Sequence, residues 1–297
     1  MVQQLPKPLI DLYNVYIHGG MSRRDFMEGI EKFAVAGFTV AAISEALMPN
    51  YALGQVVPKT DSRLKIETVT VPSPAGNGTI KGQFARPATA AAGTKLGGIL
   101  VVHENRGLNP HIEDIGRRLA LEGFNTFAPD GLTSVGGYPG DDDKGGALFR
   151  DVNGAKMEED MLASAIWLKN RPDSNGKVGV TGFCYGGGVA NNLAVRMGAD
   201  LAAAAPFYGR MPTNAADIAK IKAAILVHHG AMDTGLAAAW PAYDAALKTA
   251  GVTHEGYVYE GAVHGFNNDA TPARYNAAAS KLAMERTVAW FNKYVKG

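Results

Sequence analysis

Four residues lie where apolar runs of this 297-residue chain end, and together they could activate a nucleophile: Cys184, Asp233, His264 and Glu104. Cys184, the only cysteine, stands in Lys177 to Ala190, KVGVTGFCYGGGVA. Val178, Val180 and Thr181 read as a short buried strand, and Val189, Leu193 and Met197 recur at helical spacing. Between them, Gly182-Phe183-Cys184-Tyr185-Gly186 has the form G-x-nucleophile-x-G. Such an elbow needs small residues on both sides of the nucleophile, so that strand and helix can pass closely. The helix N-terminus favours a thiolate, and the N–H that follows can face a developing oxyanion. A buried structural cysteine would fit the same letters, because a free thiol packs like a small hydrophobe.

The elements that must position these residues alternate along the chain. From Lys65 onward, segments of strand and helix length follow one another, which predicts an α/β fold with a mainly parallel sheet and helices on both faces. Lys65–Val71 and Thr79–Ala85 read as an edge hairpin. Gly97–His103, Asn125–Ala128, Val178–Thr181, Ala202–Tyr208, Ala223–His229 and His254–Tyr259 read as further strands. Helices fit Ile112–Leu121, Met157–Lys169, Trp240–Thr249 and Tyr275–Tyr294, and Thr133–Gly146 reads as a long Gly- and Asp-rich loop.

In such a sheet, ligands meet the carboxyl ends of the strands. Glu104, Asp233 and His264 each follow one of those ends, and the order Cys184, Asp233, His264 is the nucleophile–acid–histidine order of α/β-hydrolases. Taken singly, Asp233 also fits a turn and His264 a solvated loop. Of the other histidines, His18 falls in the N-terminal segment, His103, His228 and His229 end strands, His111 opens a helix and His254 begins a strand.

Composition narrows the class. Twenty-nine basic against 28 acidic residues leave no electrostatic footprint for nucleic acid or an anionic membrane surface. One cysteine excludes an intramolecular disulfide. Residues 1–60 read as a helical arm and linker, and 61–297 as the α/β domain. Ser22–Met27 (SRRDFM) resembles a twin-arginine export motif, and Phe33–Ile43 is apolar enough for a short signal core, which would send the protein to the periplasm. Against that, Phe26, Ile30, Phe33, Ala34 and Phe38 recur at helical spacing, with Ser22 and Asp25 as a cap. We expect a helical arm and a cytoplasmic protein, the arm packing on its own domain or on a second subunit as a homo-oligomer contact. The apolar run is too short to span a bilayer.

From about Lys65 onward the chain resembles the dienelactone hydrolase family. Gly182–Gly187 matches its cysteine elbow, His264-Gly265-Phe266 its histidine loop, Asp233 the place of its acid, and His103-Glu104-Asn105 the segment whose glutamate contacts the resting cysteine. The run HENRGLNP, Gly136–Gly140 and Pro206–Arg210 are similar to a bacterial branch that shares the N-terminal arm. The resemblance implies an α/β-hydrolase fold and cleavage of a small ester or lactone through a thioester on Cys184. His264, oriented by Asp233, would manage the proton, Glu104 would act as an alternative proton partner, and the N–H groups of Tyr185 and Asn105 would hold the oxyanion. No metal or organic cofactor is implied. Arg106, Tyr138, Tyr208, Arg210, Phe266 and Asn268 are the expected substrate contacts.

One departure bears on the substrate. Where the family carries a carboxylate-binding arginine four residues after the histidine, this chain has Asn268, and an amide cannot replace a bidentate guanidinium. Arg106, Arg150 or Arg210 would then have to supply a charge. A non-catalytic binding protein and a single-cysteine redox protein are the alternative classes.

Overall fold

The computed structural model describes residues 6–17, 20–34 and 39–296. Eight strands form one sheet in the order β1-β2-β4-β3-β5-β6-β7-β8: β1 Leu64–Ser73, β2 Gly78–Pro87, β3 Leu96–Val102, β4 Asn125–Pro129, β5 Ser174–Phe183, β6 Ala203–Phe207, β7 Ala224–Gly230 and β8 His254–Tyr259. β1 pairs antiparallel with β2 and β2 with β4; from β4 to β8 every pairing is parallel. β4, β6 and β7 are buried along their whole length. Strands covered on both faces need continuous apolar runs, not alternation.

The covering helices divide into two layers. α5 (Pro110–Leu121) and α11 (Ala277–Tyr294) cover one face, with Ile112, Ile115, Leu119 and Phe291 in its core. α7 (Gly154–Lys169), α8 (Tyr185–Met197) and α10 (Thr234–Thr249) cover the other, contributing Met157, Met161, Val189, Leu193, Tyr243 and Leu247. This is the α/β-hydrolase fold that the segment order predicts.

The structure departs from the sequence reading in several places. Thr133–Gly146 is not all loop. It holds a 3-10 turn at Thr133–Val135 and the start of α6 (Asp142–Asp151). Asp141 caps that helix by accepting from the Lys144 N–H at 2.8 Å, and Asp142 and Asp143 complement its N-terminal dipole. The acid run that read as part of a long Gly- and Asp-rich loop is a helix start. α10 begins six residues before Trp240, on the far side of Pro241, and a short α9 (Ala215–Ile218) precedes β7.

Among the described residues the N-terminal arm is helical, in four short α-helices: α1 Lys7–Ile17, α2 Arg23–Glu31, α3 Val40–Leu47 and α4 Tyr51–Gly54. Ser22 and Asp25 form a reciprocal capping box at the head of α2. The single helix that Phe26 to Phe38 suggests ends at Glu31, and Thr39 caps a new one. Phe38, His18 and part of the apolar run Phe33–Ile43 lie outside the described residues. No helix among the described residues is long and apolar enough to cross a membrane.

The arm lies against its own chain. Leu9, Ile10, Tyr13 and Ile17 form one cluster with Phe26, Ile30, Ile43 and Leu47, and the same cluster takes in Val263, Met232 and Ala273. Val263 and Met232 directly precede His264 and Asp233. The segment after the arm is tied down too: the Val56 and Val57 N–H groups donate to Asp114 at 3.0 and 2.8 Å, and Arg118 donates to the Gly54 carbonyl at 3.0 Å.

Candidate active site

The turn between β5 and α8 is built by what glycine lacks. A Cβ on Gly182 would lie 2.1 Å from the Gly186 carbonyl oxygen; on Gly186, 2.3 Å from the Val102 carbonyl oxygen; on Gly187, 2.4 Å from that of Phe207. All are backbone contacts that cannot move aside. At the apex Cys184 adopts φ 54°, ψ −108°, a conformation that L-residues rarely hold. Strain of this kind persists only where the surroundings over-determine it, and it presents the sulfur at the head of α8.

Asp233 and His264 arrive from the ends of β7 and β8. Asp233 is the N-cap of α10, and its Oδ2 accepts from His264 Nδ1 at 2.6 Å. That bond fixes the tautomer, leaving Nε2 to face the cysteine. The Cys184 and His264 side chains are hydrogen-bonded to each other. Burial acts to lower the His264 pKa, but the charge of the Cys184 sulfur, the hydrogen bonds to Asp233 and Cys184, and the Asp233 charge outweigh it, raising it to about 10. A histidine raised this far holds its proton at neutral pH, beside the Cys184 sulfur.

Cys184 lies on the seam of two unequal cavities. One, of about 1070 Å³, is walled by Val15, Val189, Val195, Met211 and Leu236, with Tyr185, Asn191, Tyr208 and Arg210 adding polar atoms. The other has only about 20 Å³ and is lined by Tyr13, Ile17, Glu104, Asn105, Arg106, Asp142, Asn268 and Arg274 together with Cys184 and His264.

Each expected residue can now be located. Glu104 is buried beside Cys184 in the small cavity, and Asn268 Nδ2 donates to its Oε2 at 3.4 Å. His103 positions that loop: its Nδ1–H donates to the Glu104 carbonyl, and its Nε2 accepts the Gly131 N–H at 2.9 Å. Asn105 Nδ2 and Arg106 donate to the Ile17 carbonyl at 2.7 and 3.2 Å, so both side chains are anchored to the arm. Tyr208, at φ 35°, places its buried ring 5.0 Å from that of His264. Arg210 lines the large cavity.

Two expected contacts are elsewhere. Phe266 is fully buried among Phe207, Tyr208 and Tyr259 and lines neither cavity. Tyr138 lies along a separate cavity with Lys59 and Asp130 and donates to Asp142 at 2.8 Å. Arg150, the third arginine considered, lines another cavity with Arg23 and Arg106.

Four residues of the small cavity, Tyr13, Ile17, Asp142 and Arg274, escaped the sequence reading. Asp142 accepts from Tyr51 and Tyr138 at 2.7 and 2.8 Å; burial pushes its carboxyl up, partly offset by those bonds. Arg274 is buried with its guanidinium 5.2 Å from the Tyr13 ring centroid. Arg274 stands ten residues after His264, outside any spacing that marks a site. Tyr13 shares a helical stripe with Leu9 and Ile17, which shows a buried face but not what it meets.

The strand order, the elbow at the end of β5, and the acid and histidine after β7 and β8 define an α/β-hydrolase. Residues 80–295 match the model of the dienelactone hydrolase family, and the chain belongs to that family. It is 30% identical over 253 residues to the "Putative carboxymethylenebutenolidase" of Escherichia coli K12, covering 80% of this chain and 91% of that one. Over 115 residues it is 50% identical to the E. coli "Putative hydrolase fragment YghX", which covers 39% of this chain and 97% of the fragment. The crystal structure of a "Putative Dienelactone Hydrolase" from Klebsiella pneumoniae superposes with a TM-score of 0.67 at 27% identity, over 78% of this chain and 99% of that one. The protein is thus a hydrolase of this family.

Proposed function

We propose that the protein hydrolyses small carboxylic esters or lactones by nucleophilic catalysis at Cys184. The observation that carries this reading is the Cys184–His264–Asp233 hydrogen-bonded chain, set on a strained turn at the floor of a large, mainly apolar cleft. The Cys184 thiolate attacks the carbonyl carbon, and the carbonyl π electrons move to oxygen. The N–H groups of Tyr185 and Asn105 hold that oxyanion. Collapse breaks the C–O bond, and the leaving alkoxide takes its proton from His264. This leaves a thioester and a neutral imidazole. A water molecule then gives its proton to His264 as its oxygen attacks the thioester. The second collapse releases the carboxylic acid and restores the thiolate beside the imidazolium.

Glu104 supplies a second proton station. Buried in the small cavity beside Cys184, it offers an alternative acceptor for the proton whenever the resting sulfur, before substrate binds, is a thiol. The lining of the large cavity favours an uncharged acyl or alcohol group. Arg210 stands at its exposed side, where it meets the substrate's polar end.

Release of p-nitrophenol from p-nitrophenyl acetate, compared between the wild type and Cys184→Ala, tests the proposal. We expect turnover in the first and none above background in the second. Equal turnover in the two removes Cys184 from the reaction, and no turnover of any ester or lactone in the wild type removes the activity itself.

A further inference from the structure

We infer that Tyr13, carried by α1, is a specificity-determining side chain that keeps carboxylate-bearing substrates out: its ring fills the place in front of Arg274 that a substrate anion would take. The inference rests on the ester or lactone hydrolysis proposed above.

The cavity on the Glu104 side of Cys184 holds about 20 Å³, room for roughly one water molecule and not for a carboxylate. What fills it is a residue from the opposite end of the chain. Tyr13 is buried, packs against Phe26 at 5.8 Å between ring centroids, and lies under the Arg274 guanidinium at 5.2 Å. An arginine over an aromatic face gains a cation–π attraction, which partly replaces an anion.

Arg274 is otherwise poorly served. It is only 6% exposed, and its Nε–H has no hydrogen-bond acceptor among the described residues. A buried guanidinium with an unmet donor is costly, so the site retains an unused demand for an acceptor. Arg274 lines the small cavity together with Glu104, Cys184 and His264, which places it at the reacting centre. Arg106, the other arginine of this cavity, is turned to the arm, where it donates to the Ile17 carbonyl at 3.2 Å. Glu104 and Asp142 also face the cavity, balanced there by Arg106 and Arg274. The wild-type site is therefore closed to anions by volume, and Tyr13 is the removable part.

The test compares kcat/KM for cis-dienelactone, which carries a carboxylate, with that for neutral p-nitrophenyl acetate. The wild type prefers the neutral ester. Tyr13→Ala moves the ratio towards dienelactone by about tenfold or more, the scale of one charge-assisted hydrogen bond. Tyr13→Phe, which keeps the ring, holds the wild-type ratio, and adding Arg274→Met to Tyr13→Ala cancels the gain. If Tyr13→Ala does not fold, Tyr13→Val, which keeps apolar packing, replaces it. If neither folds, the wild-type ratio decides. An unmoved ratio in a folded shortened variant, or a wild type that prefers dienelactone, overturns the inference. A wild type that turns over the neutral ester through Cys184 with such an unmoved ratio refutes the role of Tyr13 alone. A wild type inert towards both substrates refutes the hydrolase reading beneath it.

Discussion

The two sides of Cys184 are built from different parts of the chain and do different work. On one side lies about 1070 Å³ of mainly apolar space, walled largely by α8 and by the segments after β6 and β7, with α1 adding Asn14 and Val15. On the other lies about 20 Å³ crowded with Glu104, Asp142, Arg106 and Arg274 and closed by Tyr13 and Ile17 of the arm. The same sulfur faces both. The wide side has room for a substrate, whereas the crowded side can only tune the groups around the sulfur and shut out what does not fit beside them. In the reaction proposed above, the small side adjusts the charge of Cys184 and excludes anions, and the large side receives the ester.

The comparison breaks most sharply at the seam. Cys184→Ala should abolish hydrolysis with both cavities intact, and Cys184→Ser should retain at most a trace, because a hydroxyl's pKa lies far above a thiol's. His264→Ala should cost roughly two to four orders of magnitude in kcat, the range of general acid–base catalysis. Steady-state kinetics with p-nitrophenyl acetate reads both. A His264→Ala variant with wild-type kcat would mean that the proton moves only through the small side, by Glu104.

A large effect of another kind is expected at the elbow. Gly187→Ala puts a methyl group 2.4 Å from the Phe207 carbonyl oxygen, with Gly209 backbone atoms beyond it. Overpacking against backbone costs about 3 kcal/mol, so thermal denaturation should shift down by roughly 6 °C or more. An unaltered Tm would mean that α8 can slide, and that the two cavities are not held in fixed relation.

Much of this geometry was legible in the chain. The elbow could be read because Gly182 and Gly186 crowd each other across the turn itself, four residues apart, and so leave a local G-x-nucleophile-x-G pattern. The strand end carrying Asp233 could be read because β7, covered on both faces, is an unbroken apolar run, whereas β8, which leads to His264, is a partly exposed edge strand legible only from its short run of β-formers. Ser22 and Asp25 were legible for the same local reason, as a cap. What could not be read were pairings across the chain. Tyr13 meets Arg274 over 261 positions, and neither side chain has a local pattern that names the other. Phe266 matched a family motif and yet belongs to the core, since a motif preserves a loop's path as well as its contacts. The Asp141–Asp143 run misled because Asp suits caps and solvated loops equally, and only the fold shows which.

The large side can be sharpened by chain length. If its apolar wall receives the acyl group, kcat/KM should rise from acetate to butyrate esters by about fourfold per methylene, from ~0.8 kcal/mol for each CH2 buried. Val15 is 45% exposed and lines that cavity from α1, so Val15→Trp narrows the space at little cost to folding. The variant should lose about tenfold on the butyrate ester and little on the acetate, mainly through KM. A uniform loss on both would show that the arm acts on the nucleophile and not on the fit of the substrate.

The smallest expected effect concerns the charge state that the small side maintains. His264 has a folded pKa of about 10 against an ordinary value of 6.5, so between those values the folded protein holds a proton that the unfolded chain has lost. A pKa raised on folding stabilises fully below the unfolded value, and the gain disappears as pH rises through the folded one. The His264 contribution should thus be complete below about pH 6.5 and gone above about pH 10. The Cys184 sulfur's charge is the largest of the causes that raise this pKa, so Cys184→Ala should lose the contribution at lower pH than the wild type. Thermal denaturation of the two proteins from pH 6 to 10.5 should show their Tm difference changing by a few degrees across this window. Parallel curves would mean that the imidazolium owes its proton to Asp233 alone, and that the thiol beside it rests neutral until substrate arrives.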